Sequence, residues 1–167
     1  MTQTTKQVCV LGTHHAYQYK IVRKKYFENV SALIEIHSVD LVAEEASGID
    51  RDTYAKKVAD IRKVSWKNVD LTSEERKLVP DINALGLGTQ IDFDLHSLRE
   101  WVWVIRTAKS MKQSAMLISG LAHLMGVASK FHSLGFPVAT EAYFDNEDEK
   151  LKVERTEPEP AADKITP

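Results

Sequence analysis

One pattern occurs twice in this chain and narrows the folds open to it. Val8-Cys9-Val10-Leu11 is a continuous apolar run closed by Gly12, and Ala115 to Ser119 is a second run closed by Gly120. A short run without polar alternation reads as a strand buried on both faces, and such strands belong to parallel sheets covered by helices on each side. Val39 to Ala43 reads as another buried strand and Arg62 to Trp66 as a short one. Phe136 to Thr140 reads as a final strand, and Pro137 puts it near a sheet edge.

Helical spacing fills the intervals. Ile21, Val22, Tyr26, Val30, Leu33 and Ile34 recur at that spacing between Tyr19 and His37. Asp50 to Ile61 reads as a helix with Asp50 as its N-cap. Thr72 and Glu75 have the spacing of a capping box, which predicts a short helix stopping near Pro80. Gly86-Leu-Gly88 reads as a loop. Leu95 to Lys112 reads as a long helix with Leu98, Val102, Ile105 and Ala108 along one face, and Leu121 to Leu134 as a helix closed by Gly135. Strands separated by helices predict an α/β fold: a mainly parallel sheet with helices on both faces, in a single domain.

Composition sets the outer limits. With 167 residues, 43% hydrophobic and 28% charged, the chain can build a core and is not disordered as a whole. Residues 1–144 read as the single α/β domain. Residues 145–167 hold eight acidic and four basic residues, three of the five prolines and no aromatic residue, and read as an acidic mobile tail. The lone Cys9 excludes an intramolecular disulfide and, in an apolar strand, reads as an inert core residue. A net charge of −2 argues against a nucleic-acid binder. No apolar run approaches the ~20 residues of a membrane helix, and Met1 to Gln7 lacks a signal-peptide core. A cytoplasmic protein with no membrane and no nucleic-acid partner is expected.

Three polar clusters follow three of the strands: Gly12-Thr13-His14-His15, Glu44-Glu45 and Gly120-Leu121-Ala122-His123. In a parallel sheet all strand C-termini share one edge, where ligands bind, so these clusters should converge. His15, Glu45 and His123 suit a divalent metal with an open position (Mn, Zn, Fe or Co), and equally a metal-free acid/base pair. Glu44 and Glu45 alternate across the strand, so only one should face the site. His14 is a neighbour of His15. His96, Arg99 and Glu100 fall at helical i, i+3 and i+4, and the planar fork of Arg99 could clamp an anionic group of a substrate. Trp66 and Asp70 could form a further wall. His37 and His132 read as structural, and Arg23-Lys24-Lys25 as a solvated helix face. Gly86-x-Gly88 follows no strand and lacks a third glycine or a Lys-Ser/Thr, so no dinucleotide or P-loop site is expected.

The strand ending Leu11-Gly12-Thr13-His14-His15, the strand Asp40 to Glu45, and the turn Ile118-Ser119-Gly120-Leu121-Ala122-His123 with Gly126 following resemble the superfamily of TraB, Tiki and erythromycin-esterase/ChaN-like proteins. The resemblance spans Val8 to Ala142. It implies a site on the strand C-terminal edge, with His15 and His123 as the two motif histidines, Glu45 at the acidic position, and Arg99 where many relatives carry an arginine. Members are described as metal-dependent proteases, as esterases using histidine and glutamate, or as linked to haem iron, so the resemblance does not fix the reaction. The leading expectation is a metal-dependent hydrolase acting on a small-molecule or peptide substrate. In it His15 and His123 are ligands, Glu45 is ligand or base, and Arg99 holds an anionic substrate group. The alternatives are a metal-free His/Glu esterase-like hydrolase and a non-catalytic module that binds a ligand such as haem, or a protein through the acidic tail.

Overall fold

The structure is a computed structural model and describes residues 6–19, 24–46, 52–78 and 90–144. Its frame is five strands: β1 (Gln7–Thr13), β2 (Leu41–Glu44), β3 (Ser65–Asn68), β4 (Ser114–Gly120) and β5 (Val138–Ala142). They form one sheet in the order β3-β2-β4-β1-β5, and every pairing is parallel. The helices are α1 (His15–Tyr19), α2 (Lys24–Ile36), α3 (Tyr54–Arg62), α4 (Ser73–Leu78), α5 (Gln90–Ser110) and α6 (Leu124–Ser133). A single 3₁₀ turn, Leu121–His123, joins β4 to α6.

The continuous apolar runs are explained by a core on each face. Successive side chains of a strand point to opposite sides. Cys9, Leu11, Val42, Met116 and Ile118 meet Tyr26, Val30, Leu33, Ala55 and Val58 from α2 and α3. Val8, Val10, Leu41, Ala43, Ala115 and Leu117 meet Trp103, Val104, Val127 and Phe131 from α5 and α6. Burial pushes the Cys9 thiol up to about 12, with the Glu141 charge adding to it, so Cys9 is the inert core residue expected. β5 lies at the sheet edge, and Pro137 stands just before it, its carbonyl accepting from the Val8 N–H.

Several boundaries differ from the expectation for identifiable reasons. β2 starts at Leu41 because the Val39 N–H is spent on the Ile34 carbonyl at the end of α2. α3 is capped by Thr53, whose hydroxyl accepts from the Lys56 N–H at 3.1 Å; Asp50 lies outside the described residues. α3 runs on to Arg62 and is closed by Lys63 in the left-handed region (φ 57°), so the third strand begins at Ser65 rather than Arg62. The capping box forms as expected: the Glu75 N–H donates to the Thr72 hydroxyl at 3.1 Å and the Thr72 N–H to the Glu75 carboxylate at 2.7 Å.

The inner face of α5 is the main correction. Leu98 and Ile105 are exposed and Val102 and Ala108 half-buried, whereas Glu100, Trp103, Val104 and Thr107 are buried. Glu100 on that face is held by His123 and Lys130, and Arg99 beside it by Glu45 and Asp70, partners that apolar periodicity alone does not register. Ile21, Val22, Arg23, the Gly86-Leu-Gly88 loop and the acidic tail at 145–167 lie outside the described residues. Among the described residues no helix is long and apolar enough to cross a membrane.

Candidate functional site

The C-terminal ends of β1, β2 and β4 lie side by side, with Thr13 opposite Gly120 and Glu44 opposite Ile118. Glu45 follows β2 directly, and its backbone N–H donates to the Ile118 carbonyl at 2.8 Å, extending the ladder by one residue. Its side chain, 5% exposed, reaches along the rim. Oε2 accepts the Gly120 N–H at 2.9 Å, and Oε1 accepts Arg99 Nη2 at 3.1 Å. His15 Nε2 stands 4.0 Å from Glu45 Oε2, and the His15 side chain is 48% exposed. His15, Glu45 and Arg99 therefore meet around Gly120, without His123, which the placement of the motifs also puts there.

Gly120 leaves the room that the His15 ring occupies. A Cβ on Gly120 would stand 2.6 Å from His15 Nε2, closer than real Cβ contacts allow. The glycine of the second Gly-x-x-His motif thus seats the histidine of the first. Gly12 in turn lies under Leu121 of the second motif and Leu124 just after it, with a notional Cβ 3.0 Å and 3.1 Å from them.

The second histidine heads a neighbouring cluster. His123 Nδ1 and Glu100 Oε1 are 2.8 Å apart, and Lys130 Nζ donates to Glu100 Oε2 at 2.7 Å. The His123 ring packs edge-on to Trp103 (centroids 5.0 Å apart) and tilted against His96 (5.3 Å). The Arg99 guanidinium lies over the same Trp103, 5.1 Å from its ring centre, so this indole separates the two clusters. Glu100 fits because residue 126 is glycine: a Cβ there would run into its carboxylate.

Asp70 carries more of the site than its place in a turn suggests. Its side chain is fully buried, accepting from Arg99 Nη2 at 3.2 Å and Trp103 Nε1 at 3.1 Å, and pairing with Arg76. Arg99 therefore bridges two carboxylates of its own chain. Its Nη2 is spent on Glu45 and Asp70 and is not part of a free fork aimed at a substrate.

Glu44 turns away from the rim, as alternation along the strand requires. It is fully buried beneath α3, where Oε2 accepts from the Thr53 hydroxyl at 2.5 Å and from Trp66 Nε1 at 2.9 Å. Burial pushes its pKa up to about 7, against the lowering effect of those two hydrogen bonds. Burial and the nearby Glu44 charge also drive the Tyr26 phenol well above its usual range. His14 is exposed; its Nδ1 accepts from the Ala16 N–H at 3.3 Å at the start of α1. Trp66 is a partner of Glu44, not a wall of the site.

The expected metal triad is not assembled. Among the described residues no three His, Cys, Asp or Glu side chains come together as a group able to hold a metal ion. Glu45 and His15 are close, but Glu45 is tied to Arg99 and the Gly120 N–H, and His123 belongs with Glu100. His15, Glu45 and His123 as they stand do not fit a shared divalent ion.

Sequence reasoning missed Gln18, Thr53 and Lys130. Gln18 had a signal, since it lies three residues after His15 at helical spacing. Thr53 and Lys130 had none that separates them from ordinary capping and surface residues. Compared with known protein families, curated proteins and solved structures, the chain matches none. The site is therefore read from its own geometry.

Proposed function

We propose that this rim is a metal-free hydrolytic site acting on an ester-like bond, with His15 as the base and Glu45 as its partner. The observation that carries the reading is the 4.0 Å separation of His15 Nε2 and Glu45 Oε2, one accessible and the other held in place. Two hydrogen bonds of ~2.8 Å meeting at one water oxygen put their acceptors roughly 4 Å apart. A water donating to both groups turns its own lone pairs away from them. As its oxygen bonds to the carbonyl carbon, His15 Nε2 takes one proton. When the tetrahedral species collapses and the ester C–O bond breaks, the same Nε2–H delivers that proton to the leaving oxygen. Arg99 and the Gly120 N–H keep Glu45 from rotating off the water. His123, backed by Glu100, is the second imidazole on this edge. The resemblance of the Gly-x-x-His motifs to those of the esterase-like proteins supports the same reading.

The test is turnover of a panel of carboxylic and phosphoric esters with a strong chelator present. Chelator-resistant hydrolysis should fall ~10²–10⁴-fold in His15→Gln and Glu45→Gln, with the thermal midpoint of His15→Gln unchanged. Activity that vanishes in chelator and returns with a divalent ion would refute the metal-free mechanism. Absence of hydrolysis across the panel would leave a ligand-binding role for the cleft.

A further inference from the structure

His15 has two ring nitrogens, and only one of them faces Glu45. The other, Nδ1, is 3.0 Å from Gln18 Oε1. Gln18 is fully buried, and its amide nitrogen donates to the backbone carbonyl of Glu45 at 3.3 Å. For a neutral ring these two contacts decide the assignment. A carbonyl oxygen can only accept, so the Gln18 NH₂ must face Glu45 and the Gln18 oxygen must face His15. An amide oxygen also only accepts, so the proton of the neutral ring must sit on Nδ1. Nε2, toward Glu45, then carries the lone pair.

We infer that Gln18 is a positioning residue that sets the tautomer of His15, holding its neutral ring with Nε2 as the available base. This rests on the hydrolytic reading for its catalytic meaning, but the tautomer itself does not depend on turnover. The device reads one strand from another: the backbone carbonyl just past β2 fixes an amide on α1, and the amide fixes the imidazole. It also links His15 to Glu45 twice, through the side chain at the rim and through the main chain beneath it.

The deciding measurement is the long-range nitrogen–proton NMR correlation of the His15 ring in the full chain, at a pH where the ring is neutral. The unaltered protein should show protonated Nδ1 and bare Nε2. Gln18→Leu should move His15 toward the Nε2–H form that free imidazoles prefer, and lower ester turnover about tenfold, since a base in the wrong tautomer cannot accept the proton. Gln18→Glu still offers an oxygen to Nδ1–H and should keep the Nδ1–H signature, with turnover above that of Gln18→Leu. An Nε2–H ring in the unaltered protein would overturn the inference even if no variant folds. So would a Gln18→Leu protein that keeps the Nδ1–H signature. A protein that shows Nδ1–H but hydrolyses nothing would keep the tautomer device and refute the hydrolytic function.

Discussion

Replacing Glu44 with glutamine should make the protein more stable, and only above a definable pH. Glu44 lies beneath α3 with Thr53 and Trp66 donating to one oxygen, while its other oxygen, Oε1, has no hydrogen-bond partner among the described residues. Its pKa is raised from 4.5 to about 7 by burial. Between those values the folded protein binds a proton that the unfolded chain has released, so unfolding free energy falls as pH rises. Below 4.5 both states are protonated and the penalty is absent; above about 7 it is complete. At ~1.36 kcal/mol per pH unit the full effect is about 3 kcal/mol. Glu44→Gln has the shape of the protonated acid, can take the same two hydrogen bonds on its oxygen, and never ionises. Urea unfolding of both proteins across this range isolates the effect, because all other titrating groups cancel in the difference. The two should match within ~0.5 kcal/mol at the acidic end, the size of a benign substitution. The variant should then gain steadily with pH until the gap levels off. A gap that is flat with pH, or that favours the native glutamate at neutral pH, would refute the placement of an ionisable carboxyl in an apolar pocket.

Other substitutions separate the site from the scaffold. Gly120→Ala is compatible with the backbone there (φ −56°, ψ 142°) but must displace His15; ester turnover should drop ~10²-fold while the thermal midpoint barely moves. Arg99→Met removes the cation between Glu45 and Asp70, and chemical denaturation should show a loss of about 3 kcal/mol from the two stranded carboxylates. Leu98→Ala should change stability by less than ~0.5 kcal/mol, because that side chain is 50% exposed, whereas Trp103→Ala, fully buried, should lose about 3–5 kcal/mol. Comparable losses in that last pair would restore the apolar stripe of α5 to the core.

The parts of this protein that were legible in its sequence are those where one residue type has one physical use. A continuous apolar run ended by glycine has little alternative to a doubly covered strand, so β1 and β4 were readable. The two glycine–histidine motifs followed, since parallel strands bring such turns to one edge. The α5 face was misread because two stripes compete there: Leu98 and Ile105 are more apolar, but Glu100 and Thr107 lie on the face that is buried. The partners of Glu100, His123 and Lys130, come from a distant segment, and spacing within a helix does not reveal them. The same holds for Asp70, whose turn position gave no sign that two arginines and an indole would converge on it. The triad of His15, Glu45 and His123 was expected from residue types alone, and among the described residues it does not come together. Whether a histidine meets a metal or a carboxylate depends on where the next element falls, and the long helix brought Glu100 to His123.

The order of strands has a consequence for how the chain is made. Of these five strands β1 leaves the ribosome first, yet its two neighbours, β4 and β5, are the last two of the five to follow. About 100 residues separate the end of β1 from the start of β4, on the order of 5–20 s of synthesis. During that interval Val8 to Leu11 is an apolar segment with two open edges, the kind of strand that pairs with other chains. β2 and β3 can associate early, but the middle of the sheet cannot close until β4 has been released. Stalled chains of increasing length should therefore resist protease near their amino end only after β4 is free of the ribosome. Slow codons upstream of residue 114 would lengthen the exposure of β1, and this protein's yield should depend on how quickly β4 and β5 follow it.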